Sequence, residues 1–439
     1  MNPTKKMKIL TERPHLRNPS INIMMKASVL FPFDSLKFEE SIHKLREIHP
    51  LLSSVIKTDE NGDAYYQFFE VEKNDFIIIE NSTWHTTAES EKNHYFNLTT
   101  ESLVRYFVFP KQESFDVLIV AHHLVGDGLA VFNILKDLVL VYFNTEIPYH
   151  QQRLIQGKSD FPQSARSSIM MSLLIKKWNS DWKSNTNIYS QNEFKKLHSR
   201  FNQENESRIL TANIPYNQLL ELKRKCIKNE VSINDAITTA LILAQQKHHP
   251  KHMNQKQEIA IPINIRNDLA FNPKDSLGNF ASAITIKIKL DDTGDFWESV
   301  RLVRKAILKK TSSDKKKWLI MNLYSEMDPN LIDSLYFSTY GNSKNETASK
   351  VATSLGLTDD PQSTGLSNLG KVSLNNYIGN KYLKDCFFFP PKVPNAGITI
   401  GVITIKDTLS FGLTFDDKYI GFASTKLIVK NMIDSLTRE

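Results

Sequence analysis

The residues best suited to chemistry in this chain lie in the stretch IVAHHLVGDGLAVF, residues 119–132. The apolar residues before the histidines are typical of a strand, and those after Gly128 recur at helical spacing. Because successive strand residues point to opposite faces of a sheet, His122 and His123 cannot both enter one site. A single imidazole, with an ordinary pKa of ~6.5, is enough for a general base. The pattern therefore favours one catalytic histidine over a metal bound by the pair.

Asp127 and Gly128 occupy the predicted turn between this strand and the following helix. Asp127 is well placed to hold the turn through an ion pair, and Gly128 allows close approach of backbone or substrate. From these residues alone, a buried histidine pair followed by a helix-capping aspartate remains open as a purely structural alternative. A metal hydrolase that uses His123 and Asp127 is disfavoured, because the glycine-flanked turn separates the two residues and no third ligand is evident.

The surrounding chain predicts an α/β (α+β) fold in two lobes, since 439 residues are too many for one small core. We expect a first lobe over residues 1–190, in which strands and helices are interleaved, and a second lobe over residues 191–439. The segment between 144 and 208, largely polar, is the best candidate for a linker. Near the end of the second lobe, the string TFDDKY at 414–419 suggests a hairpin turn.

Composition excludes several classes of protein. Hydrophobic residues make up 41% and charged residues 23%, which is ordinary for a globular chain, and the apolar runs are shorter than the ~20 residues that span a bilayer. The first twenty residues contain lysines but no apolar core, unlike a secretory signal. Two cysteines, Cys226 and Cys386, are too few for a disulfide framework or a cysteine-based zinc site. We therefore expect a soluble, cytoplasmic protein with no transmembrane segment and no metal.

The charge balance favours anionic partners without choosing among them. An excess of +7 is spread over the whole chain and would attract a nucleotide-bearing cofactor, an acidic carrier protein or nucleic acid. Residues 301–318 concentrate basic side chains, which is typical of a solvated helix face and loop; a docking patch for phosphates or an acidic protein is the alternative. We interpret His248, His249 and His252, which straddle a proline in a lysine-rich stretch, as exposed rather than metal-binding.

Five segments together resemble the chloramphenicol-acetyltransferase-like superfamily, which shares the motif His-His-x-x-x-Asp-Gly. Its members include peptide-synthetase condensation domains, alcohol acetyltransferases, wax ester synthases and polyketide-associated acyltransferases. Besides the motif itself at 122–128, the matching segments are LREIHPLLSSVI (45–56), IPINIRND (261–268), LGNFAS (277–282) and LSNLGKV (366–372). They follow the family order and span nearly the whole chain. The string LSFGLTFDD lacks the tryptophan and leading aspartate of the plant branch, so we do not expect membership of that branch.

The resemblance implies a role for each residue of the motif. His123 corresponds to the general base, which takes a proton from an alcohol, amine or thiol while this nucleophile attacks an acyl thioester directly. Asp127 corresponds to a structural aspartate that pairs with an arginine, and Arg266 is the expected partner in this chain. Gly128 completes the turn that holds His123 and Asp127.

Three further residues are candidates for contacting the substrate. Ser367 and Asn368 match a family segment near the channel, and either side chain is suited to donate a hydrogen bond to a tetrahedral oxyanion; a turn held by the asparagine side chain remains the alternative. His122 joins them as a candidate, although strand alternation turns it away from the face that carries His123. The string GLSNLGKV at 365–372 also fits Gly-x-x-x-x-Gly-Lys, but Val372 replaces the Ser or Thr of a phosphate-binding loop.

The resemblance also implies an architecture and an activity. Two lobes of the chloramphenicol-acetyltransferase type would form a V around a central tunnel, with one mouth for the acyl donor and one for the acceptor. The implied enzyme is an acyltransferase that holds both substrates in a ternary complex, with acyl-CoA or acyl-phosphopantetheine on a carrier protein as co-substrate. We expect a small-molecule acceptor, no tightly bound cofactor, no nucleic acid partner and a stand-alone monomer. A protein of this fold that has lost turnover and only binds an acyl chain or a carrier protein is the non-enzymatic alternative.

Overall fold

The architecture is seen in a computed structural model that describes residues 6–69, 76–184, 186–249, 255–341, 343, 345–358, 363–374, 381–392 and 396–438. Within these ranges the strands are β1 (Lys6–Lys8), β2 (Asn22–Val29), β3 (Ser54–Thr58), β4 (Ala64–Phe68), β5 (Ile77–Ile78), β6 (Val104–Pro110), β7 (Phe115–His122), β8 (Ser207–Ile214), β9 (Gln257–Asn264), β10 (Ala281–Ile288), β11 (Ser363–Val372), β12 (Leu383–Phe389), β13 (Ala396–Ile405) and β14 (Thr408–Asp416). The helices are α1 (Arg13–Leu16), α2 (Ser35–Ile48), α3 (Trp84–Glu91), α4 (Gly128–Tyr142), α5 (Ile169–Lys183), α6 (Gln191–Glu204), α7 (Tyr216–Lys228), α8 (Ile233–His248), α9 (Phe296–Thr311), α10 (Asp314–Lys317), α11 (Leu319–Glu326), α12 (Pro329–Tyr340), α13 (Glu346–Ser354) and α14 (Phe422–Thr437).

The described strands form three sheets. A five-stranded sheet runs in the order β12-β2-β7-β6-β5, a six-stranded sheet in the order β10-β9-β11-β13-β14-β8, and β1-β4-β3 form a small third sheet. The two large sheets have separate apolar cores, one packed beneath α2 and α4 and the other beneath α8, α9 and α14. The predicted fold class, a mixed α/β protein with two lobes, is therefore confirmed. Among the described helices, none has the length and apolar character needed to cross a bilayer.

The strand that carries the motif is buried because of its place in the sheet. β7 lies between β2 and β6, and every one of its residues is buried. A central strand covered on both faces needs an unbroken apolar run rather than an alternating pattern, which explains the residues FDVLIVA. The helix that follows, α4, begins where the Asp127 side chain caps its first turn. The strand and the helix thus fix the two ends of the motif.

Two segments tie the halves of the chain together. β12 comes late in the sequence but pairs antiparallel with β2 at the edge of the five-stranded sheet. Near the N-terminus, Arg13 donates two hydrogen bonds, of 2.8 and 2.6 Å, to the carboxylate of Asp333 on α12. The boundary between residues 190 and 191 stays a prediction. Both contacts join a residue before this boundary to one after it.

Three sequence predictions are corrected here. His249, which was predicted to be exposed, is buried at the end of α8, and His252 lies outside the described residues. The hairpin predicted at TFDDKY is wrong, because β14 ends at Asp416 and the chain then enters α14; the hairpin turn is formed instead by Lys406 and Asp407, between β13 and β14. The segment between 144 and 208 is more ordered than a linker. It contains α5 and α6, whose residues Trp182 and Phe201 are fully buried.

Candidate active site

The two histidines of the motif lie at the end of β7 and face different surroundings. His122 is buried opposite Asn22 of β2. Its Nδ1 accepts a hydrogen bond from the backbone N–H of Leu124 at 3.3 Å, and its ring meets that of Phe96 edge-on at 5.7 Å. His123 begins a short 3-10 turn and lines a cavity between the two large sheets, whereas His122 is not part of the cavity wall.

A second imidazole, that of His15, lies against His123. The centroids of the two rings are 4.0 Å apart and their planes differ by 17°, so the rings stack. His15 belongs to α1, which the ion pair between Arg13 and Asp333 fastens to the second lobe. Its Nε2 lies 3.3 Å from Nδ2 of Asn279; because the amide nitrogen only donates, Nε2 must be the unprotonated ring nitrogen. His15 thus covers one face of the His123 ring.

Burial keeps these histidines uncharged. It lowers the pKa of His123 to about 4 and that of His122 to about 3. The backbone of His123 and the charge of Asp127 raise the pKa of His123, but they do not offset the loss of hydration. Burial, and then the neighbouring His123, also hold the pKa of His15 well below its usual value. At neutral pH His123 is therefore a neutral imidazole that can accept a proton.

Asp127 holds the turn through five hydrogen bonds. Arg266 binds it in a bidentate manner, with Nη1 to Oδ2 and Nη2 to Oδ1 both at 2.8 Å. The backbone N–H of Phe280 donates to Oδ2 at 3.0 Å, and those of Leu129 and Ala130 donate to Oδ1 at 3.1 Å. Burial alone would raise the pKa of Asp127, but Arg266 and the backbone donors hold it below its usual value. Since both carboxylate oxygens face protein donors, neither is available for a metal shared with His123.

The turn packs so closely against its neighbours that glycine is required. A Cβ on Gly128 would lie 2.6 Å from Cζ of Phe388 on β12. At Gly126, whose φ is +148°, a Cβ would lie 2.8 Å from the backbone N and O of Gly278. The same Gly278 oxygen accepts a hydrogen bond from the backbone N–H of Asp127 at 3.2 Å. The LGNF segment therefore lies directly against the histidine motif.

The cavity beside His123 has a volume of about 310 Å³, at the lower end of the usual range for small-molecule sites. Its wall is built from both lobes, with β2, β12 and α4 on one side and β9, β10, β11 and α11 on the other. Apolar side chains alternate with a few polar ones. The polar side chains in the wall include Asn264, Asn279, Ser282, Tyr324, Ser367 and Asn368.

Ser367 and Asn368 lie in this wall on β11, but their side chains differ in what they contact. Asn368 Oδ1 accepts a hydrogen bond from the backbone N–H of Gly370 at 2.8 Å, and its Nδ2 donates to Asn234 at 3.2 Å. These bonds match the turn-holding alternative. The Ser367 hydroxyl is half-buried and makes no hydrogen bond within the described part of the chain. β11 continues as a strand to Val372, which rules out a phosphate-binding loop, since that loop must lead into a helix.

Two residues of the site were missed as candidates from the sequence. His15 lies in the string TERPHLR, where a single histidine carries no periodic or motif signal. Asn279 belongs to the LGNFAS segment, whose match to the family did not assign a role to the asparagine. In the folded protein, the side chains of His15 and Asn279 both line the cavity beside His123. This shared position cannot be read from the sequence.

Comparison with protein families matches residues 19–351 to the condensation domain. Among solved structures, the chain is similar to TRI3 trichothecene 15-O-acetyltransferase from Fusarium sporotrichioides, with a TM-score of 0.66 and 12% identity over 98% of this chain and 94% of that one. It is also similar to polyketide synthase associated protein 5 from Mycobacterium tuberculosis, with a TM-score of 0.62 and 12% identity over 100% and 99% of the two chains. The first condensation domain of the CDA synthetase gives a TM-score of 0.62 and 11% identity over 99% and 96%. No curated protein matches in sequence. At these identities the structural likeness shows the fold, and the resemblance inferred from the motifs is confirmed.

Proposed function

The chain belongs to the condensation-domain family, and on that premise we propose that it transfers an acyl group from a thioester to an alcohol or amine, with His123 as the general base. The observation that carries the proposal is the neutral imidazole of His123, which borders a cavity whose wall comes from both lobes. The likeness to an O-acetyltransferase and to a condensation domain supports acyl transfer in general.

The proton moves through one nitrogen of His123. Nδ1 is buried, so Nε2 is the nitrogen that takes the proton from the hydroxyl or amine of the acceptor. The freed electron pair of the acceptor attacks the thioester carbonyl and forms a tetrahedral intermediate. When the C–S bond breaks, the proton on Nε2 passes to the departing sulfur, and the imidazole returns to its neutral form. The charge of Asp127, which favours protonation of His123, stabilises the imidazolium between these steps.

Hydrogen-bond donors for the oxyanion come from the second lobe. The Ser367 hydroxyl is the best candidate in the wall, since it has no protein partner among the described residues. The amide of Asn279 is a second donor, although it already lies near His15. Removing a single oxyanion donor typically costs about 10²–10³ in kcat, so these residues are expected to affect turnover more than binding.

The substrates fit the electrostatics of the chain. A net charge of +7 attracts an anionic donor, either acyl-CoA or an acyl group on the phosphopantetheine of an acidic carrier protein. The acceptor is a small molecule, since the cavity holds about 310 Å³. We assign no tightly bound cofactor and no nucleic acid, and we propose a cytoplasmic monomer.

The decisive experiment follows thiol release from acyl-CoA donors of increasing chain length, with mixed alcohols and amines as acceptors. His123→Ala should lower kcat by about 10²–10⁴, the usual contribution of a general base, while its melting curve stays close to that of the parent protein. His43→Ala is the control, because this histidine is exposed on α2. Full activity in a folded His123→Ala variant would refute the role of His123. If no CoA donor supports turnover, acyl transfer from a carrier protein distinguishes an enzyme from a protein that only binds.

A further inference from the structure

Three side chains that could bind a metal converge outside the cavity, on the flank of α4. Oδ2 of Asp137 lies 2.8 Å from Nε2 of His49 and 3.5 Å from Nε2 of His150. Asp137 lies nine residues after Gly128, which places it about 14 Å further along the helix axis. None of the three residues belongs to the wall of the cavity that His123 borders. The group is therefore separate from the chemistry proposed for that site.

Local backbone structure holds the three residues in place. His49 caps the C-terminus of α2 with its backbone N–H bonded to Leu45, and the proline that follows stops the helix. The backbone N–H of His150 donates to the carbonyl of Ile48 at 3.0 Å, so the segment after α4 is tied to the end of α2. The imidazole centroids of His49 and His150 are 4.9 Å apart. Both rings are thus directed at one carboxylate from fixed positions.

Two ring nitrogens of this group, Nδ1 of His49 and Nε2 of His150, have no hydrogen-bond partner among the described residues, whereas Nε2 of His49 is bonded to Asp137. The side chains of His49, Asp137 and His150 are 0%, 2% and 14% exposed. At 3.5 Å, Nε2 of His150 is too far from the carboxylate for a good hydrogen bond, and within the described residues this buried nitrogen has no hydrogen-bond partner. A buried polar atom without a partner costs free energy, and an ion between the two nitrogens and the carboxylate oxygen would remove that cost.

We propose that His49, Asp137 and His150 bind a divalent transition-metal ion of the Zn²⁺ class. Two imidazole nitrogens and one carboxylate oxygen are a common ligand set for zinc, with water in the fourth position, whereas Mg²⁺ and Ca²⁺ prefer oxygen ligands alone. The partly exposed His150 gives the ion access from solvent. An ion bound there would join the end of α2, the middle of α4 and the chain that follows α4.

The groups around the site give the proposal a testable signature. In the metal-free protein Nε2 of His49 donates its hydrogen to Oδ2 of Asp137 at 2.8 Å, and an ion that binds there displaces that proton. Lys136 lies 3.5 Å from Oδ1 of Asp137 and 3.4 Å from Oδ1 of Asp275. It therefore contacts the carboxylate oxygen that faces away from the histidines, and its positive charge opposes a second cation. Removing this charge should strengthen metal binding.

The test uses the full-length, untagged protein after treatment with a chelator, titrated with Co²⁺ and then with competing Zn²⁺. We expect one Co²⁺ per chain, with the absorption bands of a low-coordinate site. His150→Gln should weaken binding by at least about 100-fold, since changes even beyond the direct ligands of metal sites reach that size. Lys136→Gln should bind more tightly than the parent protein.

A control variant and three possible results decide the proposal. The control is His248→Gln, which alters a different histidine-rich stretch at the end of α8 and should leave the Co²⁺ spectrum unchanged. The proposal is overturned if the parent protein binds no Co²⁺, if His150→Gln binds it as tightly as the parent, or if His248→Gln is the variant that loses it. Because His150 is partly exposed, the His150→Gln variant is expected to fold, and its melting curve without metal checks this directly.

Discussion

Removing the guanidinium of Arg266 should leave the buried carboxylate of Asp127 without its counter-charge. In the structure this arginine supplies two of the five hydrogen bonds to that carboxylate, both at 2.8 Å. The remaining three come from the backbone N–H groups of Phe280, Leu129 and Ala130. Arg266→Ala removes the charge that holds the two lobes together at this point, and it leaves the α4 cap in place.

The expected cost follows from the burial of the pair. Deleting one partner of a buried ion pair usually costs about 3–5 kcal/mol of unfolding free energy. The side chains of Arg266 and Asp127 are 12% and 7% exposed, and the backbone donors still stabilise the charge, so the lower end applies. We therefore expect a loss of about 3 kcal/mol for Arg266→Ala at pH 7.

The dependence on pH separates this loss from simple loss of packing. Because the pKa of folded Asp127 lies below its unfolded value, the pair stabilises the native state above the ordinary carboxyl pKa of ~3.9. That stabilisation disappears as the pH falls through the folded pKa. The difference between Arg266→Ala and the parent protein should therefore be largest near pH 7 and shrink on acidification.

The assay is denaturant unfolding at several pH values, with Arg224→Ala as the control. Arg224 makes a 3.6 Å contact with Glu221 on the surface of α7, with side chains 68% and 51% exposed. Exposed pairs of this kind contribute about 0–1 kcal/mol. A loss below about 1 kcal/mol for Arg266→Ala, comparable to an exposed pair, would contradict the reasoning, as would a loss that does not change with pH.

Two further predictions concern the histidines. Since the pKa of His123 is about 4, kcat/KM should be level around neutral pH and fall as the pH drops through about 4; an acid limb centred near the ordinary histidine value of ~6.5 would contradict the buried base. His15→Ala should lower kcat by about 2–12-fold, the equivalent of one lost aromatic contact of ~0.5–1.5 kcal/mol, and should shift the acid limb to higher pH because water then reaches His123. His15→Phe keeps a stacked ring and should restore both kcat and the position of the acid limb. Equal pH profiles in the parent protein, His15→Ala and His15→Phe would show that His15 does not act on His123.

Local sequence patterns predicted the parts of the site that depend on local geometry. His122 and His123 face different surroundings, as the sequence predicted, although the cause differs: β7 ends at His122, and His123 begins the 3-10 turn that follows. Pairing of Asp127 with Arg266 was expected from the family resemblance, since the two residues are 139 positions apart and no local rule connects them. The roles in catalysis remain predictions.

The remaining parts depend on contacts between distant segments. The stacking of His15 on His123 requires α1 to lie against the second lobe, which a four-residue helix cannot indicate by periodicity. His49 and Asp137 are 88 residues apart, so their sequence spacing gives no sign of a shared site. The hairpin was placed wrongly because the actual turn relies on Lys406 at φ +53°, a backbone conformation that lysine rarely adopts.

The pairing of β12 with β2 has a consequence for how this protein is made. Lys26 on β2 and its partner Asp385 on β12 are 359 residues apart, so at ~5–20 residues per second the ribosome needs roughly 20–70 s to produce the second after the first. During that time the outer edge of β2 has no neighbour, and an unpaired edge strand invites pairing with other chains. The five-stranded sheet, whose strand β2 is synthesised early, is therefore completed only after β12 has been made. The yield of native protein will therefore depend on how well the edge of β2 is protected until β12 has been made.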